Sequence, residues 1–196
     1  DYLFVKIEDE IIEYQMSKLE KTKLIQDEVN DIQQNINYLP LKPEINYEDF
    51  DKMIDFIKNY ADVHHHGKEE KFLFKEMVDN LGKIGENLIK SGMLVEHDWG
   101  RLFISELISA LEKVRSGNEE SKIDVISNAV GYANHLARHI KKEDELVYTF
   151  AEKQLDPEIL EHVNSQTEEF EQDAKEKGVQ KYYIGLLDEL ELKYIK

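Results

Sequence analysis

The chemistry-bearing residues of this chain are histidines and carboxylates, and two stretches repeat them in step. Residues 65–74 read HHGKEEKFLF and residues 139–148 read HIKKEDELVY, so His, Lys, Glu, an acid and then hydrophobic residues fall at matching positions. On a helix, residues four apart lie one turn from each other on the same face. His65 with Glu69, and His139 with Glu143, can therefore each offer an imidazole nitrogen and a carboxylate to one centre. Two such helices facing each other supply two His and two Glu, a donor set with which bundle cores hold a pair of metal ions bridged by carboxylates. Mixed imidazole and carboxylate with open positions suits iron, or manganese as the alternative, better than a closed structural zinc site.

A third His lies in Glu96-His97-Asp98, and a similar acidic triplet, Glu8-Asp9-Glu10, lies near the start of the chain. If the helices carrying these triplets pair as the two repeat helices do, each contributes one ligand, and Asp9 takes the place of a His, with Glu13 one turn along as its rival. His64 and His66 flank His65 and, at about 100° per residue, point to either side of it, so neither is expected to be a ligand. His135, one turn before His139, is expected to support the site or face solvent, with the alternative of substituting for a missing first-helix ligand. His162 falls in a charged helix and is expected to be exposed. Tyr60 and Tyr132 read as core residues that could also hydrogen-bond a metal-bound oxygen species.

These residues need long helices to position them. Three Pro, at 40, 43 and 157, and Gly at 82, 85, 92, 117 and 178 punctuate intervals in which apolar residues recur every three or four positions. The spacing predicts an all-α chain with helices over about 3–36, 47–80, 86–115 and 119–154. A fifth helix opening at Asp156-Pro157 runs to about 177, and a last one follows Gly178. The expected architecture is an up-down-up-down four-helix bundle over residues 1–154, with a C-terminal helical extension over 155–196 packed on it. Val125, Ala129, Tyr132, Leu136, His139, Glu143, Leu146 and Phe150 form one stripe, which puts His139 and Glu143 among apolar neighbours. Phe50, Ile54, Ile57, Ala61, His65, Glu69 and Phe72 do the same one repeat earlier. The plain reading, a charged pair on a helix surface, fits neither stripe, because an unpartnered imidazole and carboxylate are costly to bury.

The acidic balance, 42 Asp plus Glu against 25 Lys plus Arg for a net charge of −17, opposes nucleic-acid and anionic-membrane partners. There is no Cys, so neither thiolate metal sites nor a Cys nucleophile enter. The first residues, DYLFVKIEDE, carry acids where a signal peptide carries an apolar run, and a cytoplasmic location is the expectation. The run EEFEQDAKEK is expected to be a solvated face.

The stretches YADVHHHGKEEKFLF, MLVEHDWGRLF and HIKKEDELVY resemble the hemerythrin-like, or HHE cation-binding, family over about residues 5–150. The resemblance implies metal ligands His65, Glu69, His97, His139 and Glu143, holding two irons with oxo or hydroxo and carboxylate bridges, with manganese or zinc able to substitute. The family's first-helix His is followed by apolar residues at about +3, +7 and +10, and here Asp9 precedes Ile12, Met16 and Leu19 at those offsets. No His occurs before His64. The animal oxygen carriers add a second third-helix His where this chain has Met93, which argues against that arrangement. The resemblance further implies a monomer or homodimer that engages O2, NO or peroxide for sensing, storage or stress response. A redox enzyme, of peroxidase or NO reductase type, or an iron-handling protein is the alternative.

Overall fold

A computed structural model describes residues 45–194, and every element among them is helical. The expected first helix, with Asp9 and Glu13, lies outside the described residues. The first described helical column runs through α1 (Tyr47–Phe56), a π-helical stretch Ile57–His66, α2 (Gly67–Lys71) and α3 (Leu73–Asn80). Asn46 caps its start, its side chain accepting a hydrogen bond from the Asp49 amide at 3.1 Å. The second column comprises α4 (Gly82–Leu88), a π stretch Ile89–Met93 and α5 (Leu94–Arg115). A 3₁₀ turn, Glu119–Ser121, leads into the third: α6 (Lys122–Lys142), a π stretch Glu143–Tyr148 and α7 (Thr149–Gln154). Asp156 then caps α8 (Pro157–Glu176), and Gly178, at φ 75°, turns the chain into α9 (Val179–Tyr194).

Contacts along the columns show how they run. Arg115 reaches Asp51 while Arg101 reaches Asp62, so the first two columns are antiparallel. Phe103 lies against Gly131 and Glu96 against His139, so the second and third are antiparallel too. A Cβ on Gly131 would sit 2.6 Å from the Phe103 ring, so the absence of a side chain there lets α5 and α6 close together. The second column starts earlier than the expected residue 86, directly at Gly82. Gly82 adopts φ +57°, open to glycine, and a Cβ on Gly85 would fall 2.3 Å from the Met77 carbonyl, so the turn between columns is held tight by two glycines.

Two apolar clusters bracket the polar centre. Ile54, Ile104, Leu107, Leu111, Val125 and Tyr132 fill one end; Phe74, Met77, Ile89, Met93, Val147 and Ala151 fill the other. The histidines and glutamates lie between them, where the apolar filling on both sides withdraws them from water.

The C-terminal pair grips the outside of the first column. Glu171 accepts hydrogen bonds from Lys68 at 2.6 Å and from Gln180 at 2.7 Å, and lies 3.1 Å from His64 Nε2. Tyr60 stacks on His64, and Phe170 and Tyr183 pack beside them. The end of α9 ties down the start of α1, since Lys193 and Tyr194 both donate to the buried Asp49 carboxylate. Within the expected solvated run EEFEQDAKEK, then, Glu171 faces the protein, because Lys68 and His64 stand opposite it.

Candidate metal centre

Five expected ligands converge between the apolar clusters. Glu69, His97, His139 and Glu143 are buried to within 4 % exposure, and His65 is half-buried. His97 Nε2 lies 3.8 Å from both Glu69 Oε2 and Glu143 Oε1. His139 Nε2 lies 3.0 Å from Glu143 Oε1, and His65 Nε2 lies 3.8 Å from Glu69 Oε2. The donor atoms fall into two sets, each spanning no more than 4.8 Å: His65 with Glu69 and Glu143, and His66 with His97 and His139.

His66 departs from the sequence expectation that it points away. It is buried, and its ring stacks on His97 with centroids 3.9 Å apart and planes 10° from parallel. The reason is local. Residues Ile57–His66 are π-helical, and the Gly67 amide reaches back five residues to the Asp62 carbonyl. In i→i+5 bonding each residue turns through a smaller angle than in an α-helix, so His65 and His66 diverge less than α-helical spacing requires and both face the centre. His135 instead donates from Nε2 to the Glu96 carbonyl at 2.8 Å, and His162 is exposed.

Each histidine of the second set is held from behind by a carboxylate. His66 Nδ1 pairs with Asp62 at 3.3 Å, His97 Nδ1 with Glu70 at 2.7 Å, and His139 Nδ1 with Glu96 at 3.3 Å. A cation backs each carboxylate. Arg101 donates to Asp62 at 2.9 Å and to Glu70 at 2.8 Å, and Lys142 donates to Glu96. A carboxylate on Nδ1 fixes the ring and leaves Nε2 as the free lone pair, the arrangement that metal-bound imidazoles use.

The inward atoms have no comparable partners. Glu69 Oε2, His97 Nε2, His139 Nε2 and Glu143 Oε1 are buried without a hydrogen bond. Leaving several such groups unpaired in one place is costly, and cations held among them would satisfy all four, so the residues present fit a metal pair.

Electrostatics of the metal-free site point the same way. Burial, followed by the neighbouring Glu143 carboxylate, raises Glu69 well above the usual carboxylate range. Burial also acts to raise Glu143, but His139 and His97 outweigh it and hold that carboxyl low. Burial and then His97 lower His66 to about 4, so its imidazole is neutral near pH 7 and ready to bind a metal. Cation uptake must therefore displace a proton from Glu69. As the pH falls from 8 to 6, through the value of about 7 to which Glu69 is raised, that proton competes better, and Fe(II) affinity measured anaerobically by calorimetry should weaken by about tenfold over the whole interval. A pH-independent affinity would refute this coupling.

Tyr148 escaped the sequence reading because it occupies a position counted as hydrophobic in the repeat. Its hydroxyl donates to Glu69 Oε1, and burial followed by the Glu69 charge pushes its own pKa up. Tyr148→Phe leaves that buried oxygen without its donor and should destabilise the metal-free protein by about 1–3 kcal/mol. Urea unfolding at pH 7 checks this, and an unchanged midpoint would show the bond contributes nothing.

Carboxylate-backed imidazoles around paired donor sets form a site that could hold metal cations. The model of the hemerythrin HHE cation-binding domain matches residues 21–151, two thirds of the chain, and the chain belongs to that family. No curated protein and no solved structure matches it.

Proposed function

We propose that this chain is a non-haem di-iron protein that binds O2 or a related small molecule, NO or peroxide, for sensing, storage or stress response. The observation that carries the reading is the set of four buried, unpartnered donor atoms on Glu69, His97, His139 and Glu143, bordered by His65 and His66. A pair of iron ions there would supply one-electron redox chemistry and an open coordination position.

The residues divide the work. Glu69 and Glu143 come from different columns, face each other across the centre and would hold the metal ions from both sides. His66, His97 and His139 would offer three nitrogens to one ion, and His65 would offer one to the other. His66 thereby adds an imidazole that the first column supplies, and Asp9 remains a proposed ligand for the less fully coordinated ion. Asp62, Glu70 and Glu96 hold the rings, while Tyr148 holds Glu69 and keeps a proton at its Oε1.

The second reading is a redox enzyme of peroxidase or NO reductase type. Exposing the anaerobically reduced, iron-loaded protein to O2 separates the two. A visible absorption band that persists and disappears on removing O2 supports reversible binding. Immediate conversion to the oxidised spectrum supports turnover, and no spectral response would sink both.

A further inference from the structure

Beside the centre, the first and second columns leave a cavity of about 290 Å³ whose wall includes His66 and His97. Its inner end is formed by buried groups: His97, Ile104 and Tyr132. Its outer end is formed by exposed ones: Lys58, Arg101 and Ser105. A depression of about 250 Å³ continues along the same two columns, sharing Lys58 and Ile108. The passage thus runs from solvent to the two stacked imidazoles.

We propose that this cavity is the port and holding pocket through which a neutral, weakly polar small molecule reaches the His66 and His97 side of the metal pair. The inference rests on the di-iron reading and adds the route and the ligand class. Three features support it. The volume is several times the roughly 30 Å³ that one water takes in the liquid, so the cavity admits more than a single diatomic molecule. Its length is apolar, with Ile57, Ile104 and Ile108 lining it, and there is room in the wall at Gly100, one turn from His97, where a Cβ would make only ordinary contacts with Tyr132 and His135 at 3.8 and 3.9 Å.

The third feature is charge. Arg101, the cation nearest the histidines, is already matched by Asp62, Glu70 and Asp98, at 2.7, 2.8 and 3.0 Å. Asp62 lines the cavity, and Glu70 and Asp98 hold Arg101 from outside its wall, so three carboxylates stand about the mouth against Lys58 and Arg101, in a chain whose net charge is −17. An anion entering here meets repulsion, and a neutral molecule meets none.

The test follows capture of nitric oxide by the reduced, iron-loaded full chain and of azide by the oxidised form, in stopped flow. Iron content and the unliganded spectrum are recorded first for each variant, so loss of the metal site is distinguished from loss of the port. Gly100→Leu fills the inner end and Ser105→Phe the outer end; Leu102→Phe, outside the cavity on the same helix, is the control. Both filling variants should keep their iron and slow nitric oxide capture by about tenfold or more, with the control unchanged. Should Gly100→Leu lose iron, Ser105→Phe alone decides. Asp98→Asn should speed azide capture at low salt about twofold or more and leave nitric oxide capture as it was. Filling variants that hold iron and bind nitric oxide at the normal rate would overturn the port, and an azide rate indifferent to Asp98 would overturn the selection for neutral ligands. Absence of iron from the unaltered chain would overturn the di-iron reading itself.

Discussion

Replacing His66 with alanine should lower bound iron from about two to about one per chain, with the helical content of the protein retained. His66, His97 and His139 form one donor set, while His65, Glu69 and Glu143 form the other. Removing one of three nitrogens from the first set takes a direct ligand from one ion, whereas the second set is untouched. Substituting the groups that orient metal ligands costs about tenfold to a hundredfold in affinity, and loss of a direct ligand should exceed that. His64→Ala is the informative comparison. His64 faces Glu171 on the opposite side of the column, so that variant should lose the Glu171 contact and keep both irons. Equal iron in His66→Ala and the unaltered protein would return His66 to the status its α-helical spacing predicted.

Arg101→Ala should have the next largest effect, because one guanidinium holds the carboxylates behind two different histidines. It reaches Asp62, which orients His66 on the first column, and Glu70, which orients His97 on the second. Without it both carboxylates keep their histidines but lose their countercharge, and Fe(II) affinity should fall by about ten- to a hundredfold. Arg101→Lys retains the charge without the fork that spans Asp62 and Glu70, so it should recover only part of the loss. Anaerobic Fe(II) titrations of the two variants check this, and affinities equal to that of the unaltered protein would show that the carboxylates orient the rings unaided.

Much of this was legible in the sequence because helices dominate and punctuate clearly. Pro157 and Gly178 bound the two C-terminal helices, and the ends of the three described columns at Asn80, Arg115 and Gln154 follow from the glycines and the caps. The two halves of the repeat do come together, since Glu69 and Glu143 meet across the centre. What periodicity could not give was the difference between the two halves of the repeat. His66 aligns with Ile140, yet His66 is buried beside His97 and Ile140 is 46 % exposed. Glu70 aligns with Asp144, but Glu70 orients His97 and Asp144 is exposed. Phe74 aligns with Tyr148, and the first stacks near His97 while the second donates to Glu69.

These differences have one physical source. Each column changes from α to π geometry close to the site, over Ile57–His66, Ile89–Met93 and Glu143–Tyr148. A π stretch shifts every side chain after it around the helix, and α-helical spacing carries no sign of where that happens. In the first column the shift precedes and includes the histidines, and in the third it begins at Glu143, after His139. The same sequence unit therefore presents different atoms on its two helices. The acidic triplet Glu8-Asp9-Glu10 lies outside the described residues, and Asp9 stands as a proposed ligand.

The most direct test is a crystal structure of the chain loaded anaerobically with Fe(II), with data collected across the iron absorption edge. Two anomalous peaks a few Å apart are expected. One should lie against the Nε2 atoms of His66, His97 and His139, and the other against His65, Glu69 and Glu143. A single peak, a peak away from these residues, or none at all would contradict the account.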